Sequence, residues 1–151
     1  MKTTIKATFL MMITSVFIGS CTKDEVKAIL TPGEPLTLTS SGTTIVLEQA
    51  NANNTALTFG WSEASFGYDA AATYFIDMSR SGTNFGSTST TSLNMGTALS
   101  KTFKVGELNA KLLDIIPYGS PQDVDVRIRA EIGSGVTPLN SNIIKITVTC
   151  Y

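Results

Sequence analysis

The side chains of this sequence that could carry catalytic chemistry are almost all carboxylates. The 151 residues include 12 aspartates and glutamates and no histidine, so the most frequent general base and zinc ligand is missing. Asp123 and Asp125 lie two positions apart, which on a strand points both carboxylates to one face. Paired carboxylates can hydrolyse glycosides when a cleft holds them at a defined separation. Arg127 and Arg129 share their parity, so we interpret this face as solvated and charge-balanced rather than catalytic.

The remaining reactive side chains give no enzyme signature. Asp77 and Glu63 are interpreted as surface charges at strand ends. Cys21 and Cys150 are the only cysteines, too few for a cysteine-histidine metal site, and the sequence contains no Gly-Lys-Ser/Thr phosphate loop. We therefore predict no catalytic residue, no metal, no cofactor and no enzymatic activity.

Aromatic side chains are the other candidates, because a flat apolar ring can stack on a sugar. Trp61 is the only tryptophan, and it shares strand parity with Leu57 and Phe59. This parity predicts that Trp61 lies in the core and is not a sugar platform. Phe66 and Tyr68 are the one close pair outside the predicted strands, which makes them the alternative location for a glycan-binding surface.

The first 20 residues have the composition of a bacterial signal peptide. Lys2 and Lys6 supply positive charge, and residues 7–19 are uncharged but too few for a transmembrane helix, which needs about 20 apolar residues. This run ends in Ile-Gly-Ser-Cys, which resembles the lipobox of bacterial lipoproteins. We predict cleavage after residue 20 and lipidation of the Cys21 thiol. An ordinary secretory signal followed by an unrelated cysteine is the alternative.

Residues 21–34 are polar and turn-prone, and we predict that they form a flexible tether between lipid and domain. The charged triplet Lys23, Asp24 and Glu25 resembles the export signal that carries Bacteroidetes lipoproteins to the outer face of the outer membrane. A solvated linker with the same charges is the alternative. The expected location is the outer membrane, with a lipid anchor and the domain at the cell surface.

Residues 35–151 are enough for one domain. Without Lys2 and Lys6, nine basic residues stand against twelve acidic ones, which argues against nucleic acid as a partner. With Cys21 lipidated, Cys150 has no partner for an internal disulfide. We expect a packed thiol, with an intermolecular disulfide as the less favoured alternative.

From residue 35 onward, apolar side chains recur at every second position, the period of a half-buried strand. Turn-forming residues separate the segments. This pattern predicts an all-β, Ig-like or fibronectin-III-like antiparallel β-sandwich of about seven strands. The apolar positions of the seven strands are Leu36 and Leu38; Ile45 and Leu47; Leu57, Phe59 and Trp61; Tyr74, Ile76 and Met78; Leu99, Phe103 and Val105; Val124, Val126, Ile128 and Ala130; and Ile144, Ile146 and Val148.

Two segments depart from the strand period. Val105, Leu108, Leu112 and Ile116 follow helical spacing, which predicts one short helix before the sixth strand, stopped by Pro117. The Ser/Thr-rich stretch 79–92 predicts an ordered connection that includes an edge strand.

Two stretches carry a resemblance to a known family. Residues 57–62, followed by 74–77, and residues 124–130 are similar to the fibronectin type III and Ig-like strand pattern. Together with the lipobox, the charged triplet, the Asn84-Phe85 turn and the helix at Glu107, the chain resembles the N-terminal domain of SusE/SusF-type outer-membrane lipoproteins over nearly its whole length.

These proteins accompany starch and glycan uptake systems in Bacteroidetes. The resemblance implies a lipid-anchored surface protein whose partners are other components of a glycan-uptake complex. In that family, glycan binding falls to further C-terminal domains, so no sugar-binding residue is assigned to this domain. We expect a spacer or docking module. The alternative is a generic Ig-like adhesion or protein-interaction lipoprotein unrelated to glycans.

Overall fold

The computed structural model describes residues 33–151. The predicted signal peptide, the predicted lipidation site Cys21, the charged triplet and most of the predicted tether lie outside the described residues. Within the described range the secondary structure comprises β1 (Leu38–Ser40), β2 (Thr44–Val46), a 3-10 turn (Gln49–Asn51), β3 (Thr55–Trp61), β4 (Thr73–Arg80), β5 (Thr90–Gly96), β6 (Ser100–Lys104), α1 (Val105–Leu112), β7 (Pro121–Glu131), β8 (Leu139–Asn140) and β9 (Ile144–Thr149).

The strands form two sheets that enclose one apolar core, which confirms the predicted all-β sandwich. One sheet has the order β1-β3-β6, and the other has the order β2-β9-β7-β4-β5 with β8 paired to β7. All pairs are antiparallel except β2 with β9, which is parallel. The sequence predicted about seven strands, so β5 and β8 are additional; β5 begins within the Ser/Thr-rich stretch and is an edge strand, as that stretch predicted.

The two-residue period correctly assigns the core face of most strands. The alternating residues of β7, from Val124 to Ala130, are fully buried, and so are Ile146 and Val148 of β9. In β3, Phe59 is fully buried and meets Phe103 of β6 edge to face, with ring centroids 6.0 Å apart. The core therefore consists of side chains that alternate inward from both sheets.

Helix α1 lies where the sequence predicted one short helix. Its residues Val105, Leu108 and Leu112 are buried against the core. The helix ends at Leu112, and the amide of Ile116 still donates to the Leu112 carbonyl at 2.9 Å, so a turn carries the chain on toward the proline. Val105, which the sequence assigned both to the fifth strand and to the helix, is the first residue of the helix. Leu99, predicted as a core residue, is 37% exposed.

No helix within residues 33–151 combines the length and the apolar composition that crossing a bilayer requires.

Candidate functional site

The outer face of the six-stranded sheet carries a group of interlocked charges that we call the Asp77 cluster: Asp77, Ser92, Arg127, Arg129 and Glu131. Strand register brings them together. Asp77 on β4 lies opposite Arg127 on β7 and opposite Ser92 on β5. Arg129 and Glu131 follow on the same face of β7, because alternate residues of a strand share a face.

Asp77 is the buried centre of this cluster. It is only 3% exposed, and its carboxylate accepts hydrogen bonds from Ser92 Oγ (2.6 Å), Arg127 Nε (3.2 Å) and Arg129 Nε (3.0 Å). Arg129 also forms an ion pair with Glu131. The prediction that Asp77 is a surface charge at a strand end is therefore wrong. Asp77 lies within β4, where long side chains from β7 cover it.

Two phenylalanines complete the cluster by lying against the arginines. The Arg129 guanidinium carbon is 4.5 Å from the Phe75 ring centroid, and that of Arg127 is 4.0 Å from the Phe85 centroid. Phe85 and its neighbour Asn84 both adopt positive φ angles, 57° and 51°. Such angles are unfavourable for a bulky side chain, so the contact with Arg127 helps to hold this turn over the sheet.

The charges of the Asp77 cluster are held by one another, as in a structural element. Burial by itself would lower the pKa of Arg129, but the hydrogen bond and charge of Asp77, with a further contribution from Glu131, raise it above its usual value. The arginine therefore stays charged at every accessible pH. Four hydrogen bonds, one from Ser92, one from Arg127 and two from Arg129, occupy the acceptor sites of the Asp77 carboxylate, so it has no free lone pair directed at a substrate proton.

Asp123 and Asp125 also have structural partners. Asp125 accepts hydrogen bonds from Ser81 Oγ at 3.0 Å and from the amide of Gly82 at 3.2 Å, so it fixes the turn after β4. Asp123 accepts one from Thr147 Oγ1 at 2.8 Å. The two arginines of β7, which the sequence placed on the same face as this pair, form ion pairs with Asp77.

The prediction that Trp61 belongs to the core is confirmed. It is 6% exposed and packs at a tilt against Tyr74, with ring centroids 6.2 Å apart. Its indole Nε1 is buried and has no hydrogen-bond partner among the described residues. Phe66 and Tyr68 do not form the exposed pair that the sequence suggested, because Phe66 is buried and only Tyr68 is exposed.

A backbone hydrogen bond joins the two chain segments that carry the exposed aromatics Tyr118 and Tyr151, and no pattern in the sequence indicated this pairing. Tyr118 is 74% exposed and Tyr151 is 37% exposed. The residues beside them in the chain are joined by a hydrogen bond from the Gly119 amide to the Cys150 carbonyl at 2.9 Å. These two segments lie about 30 residues apart in the chain. Their pairing depends on the tertiary fold, so no local sequence pattern predicts it.

Cys150 is the packed thiol that the sequence predicted: it is 2% exposed and free. Burial raises the pKa of its thiol, because the thiolate would lose hydration.

Two open clefts lie elsewhere in residues 33–151. A cleft of about 580 Å³ lies between Arg80, Gln122 and the turn after α1, and one of about 340 Å³ includes Glu63 and Asp69. Glu63 is exposed at the rim, as expected for a surface charge. No group of histidine, cysteine or acidic side chains in the described part of the chain is arranged to hold a metal ion.

Comparison with known proteins adds one match. The profile of the family described as SusE outer membrane protein matches residues 23–130, a span that begins at the charged triplet and ends in β7. This agrees with the resemblance found in the sequence. No protein with a curated description matches the chain.

Proposed function

The chain belongs to the SusE outer membrane protein family, and from this membership we propose that it is a non-catalytic, lipid-anchored surface protein of a glycan-uptake system. In this proposal the β-sandwich is a spacer or docking module. The family match is the observation that carries the proposal, because it spans most of the sandwich and places the chain among outer membrane proteins.

The carboxylates on the outer face of the large sheet support a non-catalytic role. A glycosidase needs two carboxyl groups facing a bond in a cleft, one of them free to exchange a proton. Asp77 is saturated by donors, and Asp123 and Asp125 hold neighbouring strands and turns. Their hydrogen bonds stabilise the sandwich, so we assign them no role in turnover.

The N-terminal segment supports surface anchoring. The family match begins at Lys23, two residues after the proposed lipidation site Cys21, and it includes the charged triplet proposed as the export signal. The first described residue, Gly33, lies 12 positions after Cys21 in the sequence. Fully extended, 12 steps along the chain span about 40 Å, enough to hold the anchored domain clear of the lipid head groups.

A docking or spacer role agrees with the rigidity of the sandwich. The Asp77 cluster joins β4, β5 and β7 by side chains as well as by backbone, so the outer face presents a fixed surface to neighbouring proteins. A spacer must keep its shape under load, and cross-strand ion pairs that are largely shielded from water serve that purpose.

The test is purification of the full-length chain from the outer membrane of its own cells in a mild detergent. We expect an acylated N-terminus at Cys21 and co-purification of a TonB-dependent-transporter-like protein. The Cys21→Ala variant is the control, and it should remain uncleaved or leave the membrane fraction. An unmodified mature N-terminus at another residue would contradict the anchor, and hydrolysis of a polysaccharide by the purified chain would contradict the non-catalytic role.

A further inference from the structure

The edge formed by β5 differs from the other sheet edges of the described chain. β5 is the last strand of the six-stranded sheet, and no strand within residues 33–151 pairs with its outer side. It is seven residues long, and the 20 residues from 81 to 100 contain no aspartate, glutamate, lysine or arginine. An unpaired edge of this length is a template for another strand.

The other edge strands carry features that discourage pairing. β1 and β2 are three residues long, and β8 is two residues long. β6 carries Lys101 and Lys104, and the Lys101 ammonium forms an ion pair with Glu107 at 2.6 Å. Short length and lysine are the usual protection of sheet edges. Only the β5 edge in the described part of the chain has neither.

Alternate residues of β5 direct their backbone amide and carbonyl groups to the side of the strand that does not face β4. The Arg80 amide donates to the Ser89 carbonyl at 3.0 Å, and hydrogen-bonded pairs alternate along antiparallel strands. Leu93, opposite Ile76, therefore directs its amide and carbonyl toward β4. Ser92 and Asn94, one position on either side, direct theirs away from the sheet.

We propose that this edge pairs antiparallel with β5 of a second copy of the chain, about a two-fold axis at Leu93. Ser92 of each copy then faces Asn94 of the other, and their outward amides and carbonyls form four hydrogen bonds. Leu93 faces its own counterpart as a non-hydrogen-bonded pair, in which side chains approach most closely. The two six-stranded sheets become one continuous sheet.

Self-complementarity identifies the second copy as the occupant. Around a two-fold axis each residue meets itself or a close neighbour, so any charge on β5 would face a like charge. The absence of charge from residue 81 to 100 removes that repulsion. Leu93 is only partly buried on the core-facing side, and the pairing covers it with Leu93 of the second copy. The interface is isologous, so it closes as a dimer.

Disulfide trapping of the full-length chain in outer membranes tests this register. In the proposed dimer the two Leu93 Cα atoms lie about 4.5 Å apart, within the range of a disulfide. Mild oxidation of Leu93→Cys should give a disulfide-linked dimer at least tenfold above the matched control Val46→Cys. Val46 is 62% exposed on the β2 edge, so it tests whether exposure alone allows cross-linking.

A second variant shows that strand pairing causes the cross-link. Asn94 is exposed, and Asn94→Lys places two ammonium groups across the proposed interface. Added to Leu93→Cys, it should reduce the dimer at least tenfold while the melting temperature stays unchanged. An unaffected dimer, equal cross-linking by Val46→Cys, no dimer from Leu93→Cys, or a disulfide to a different protein would each overturn the proposal.

Discussion

Asn142 and Leu38 are joined by two hydrogen bonds in which one side-chain amide takes the place of a neighbouring strand. The Leu38 amide donates to Asn142 Oδ1 at 2.8 Å, and Asn142 Nδ2 donates to the Leu38 carbonyl at 3.2 Å. Leu38 belongs to β1 of the three-stranded sheet, whereas Asn142 lies between β8 and β9 of the six-stranded sheet. The pair therefore ties the two sheets together.

The same arrangement recurs between α1 and the last described residue. Asn109 is 5% exposed, and its amide donates to the Tyr151 carbonyl at 3.1 Å and accepts from the Tyr151 amide at 3.0 Å. Each asparagine side chain forms hydrogen bonds with both backbone groups of one residue, as a neighbouring strand would. Buried backbone groups need such partners, since leaving one unpaired is costly.

Replacement of Asn142 should therefore destabilise the sandwich. Asn142→Ala removes the partners of both Leu38 backbone groups, and we expect a loss of about 1–3 kcal/mol in the free energy of unfolding. Urea unfolding measures it. Asn140→Ala, at an exposed position two residues earlier, is the control and should change stability by less than about 0.5 kcal/mol. Equal losses from the two variants would show that the amide does not tie the sheets.

Removal of the Asp77 carboxylate should have a larger effect. Breaking a buried ion pair costs about 3–5 kcal/mol, and because the two arginines remain about one quarter exposed we expect about 2–3 kcal/mol for Asp77→Ala. The control is Asp123→Ala, whose side chain is 47% exposed and should contribute less than about 0.5 kcal/mol. Thermal unfolding measures both. A wild-type melting temperature for Asp77→Ala would contradict the structural role of the cluster.

Substitutions of Trp61 test how much the volume of one buried side chain contributes to the stability of the core. Trp61→Ala should cost about 3–5 kcal/mol through lost burial and a cavity. Since the buried indole Nε1 has no partner among the described residues, Trp61→Phe loses no hydrogen bond and should cost about half as much or less. If Trp61→Ala kept the wild-type melting temperature, the side chain would be exposed and a sugar platform would be the better interpretation.

The buried thiol of Cys150 should make the free energy of unfolding decrease at alkaline pH. Burial raises the pKa of its thiol in the folded state above the ordinary value of 9.0, so folding favours the protonated thiol. The contribution is complete below about pH 9 and is lost as the pH rises through the folded pKa. Urea midpoints at pH 7 and pH 10 should therefore differ more for the wild type than for Cys150→Ala. An identical difference in both would show that another group is responsible.

The described domain should bind no polysaccharide appreciably, because Phe59, Trp61, Tyr74 and Phe103 are buried. Calorimetry of the purified chain against starch, other soluble glucans and mannans should show no saturable heat. If binding is observed, two variants locate its site. Tyr68→Ala tests the aromatic residue that the sequence indicated, and Tyr118→Ala tests the exposed tyrosine beside the C-terminal strand. Binding tighter than about 1 mM that either variant abolishes would contradict the spacer role.

The sequence alone determined the sandwich and most of its core. In a strand, successive side chains point to opposite faces whatever the neighbouring strand is, so alternation assigns Trp61, Val126 and Ile146 to the core without knowledge of topology. β5 was harder to recognise, because its Thr and Ser residues give little hydropathy contrast between its two faces. Asn109 could have been recognised, since it lies four residues after Val105 on the buried side of α1.

The tertiary structure decided what covers each outward side chain. By its position in the alternation of β4, Asp77 should face solvent, yet two arginines of β7 cover it. This burial depends on which strand lies beside β4, and the residues around position 77 do not specify that neighbour. The hydrogen bonds of Asn142 with Leu38 join positions 104 apart in the chain. The parallel pairing of β2 with β9 is equally remote. A local pattern fixes the face on which a side chain lies, but its neighbours there depend on register and chain path, which are properties of the folded chain.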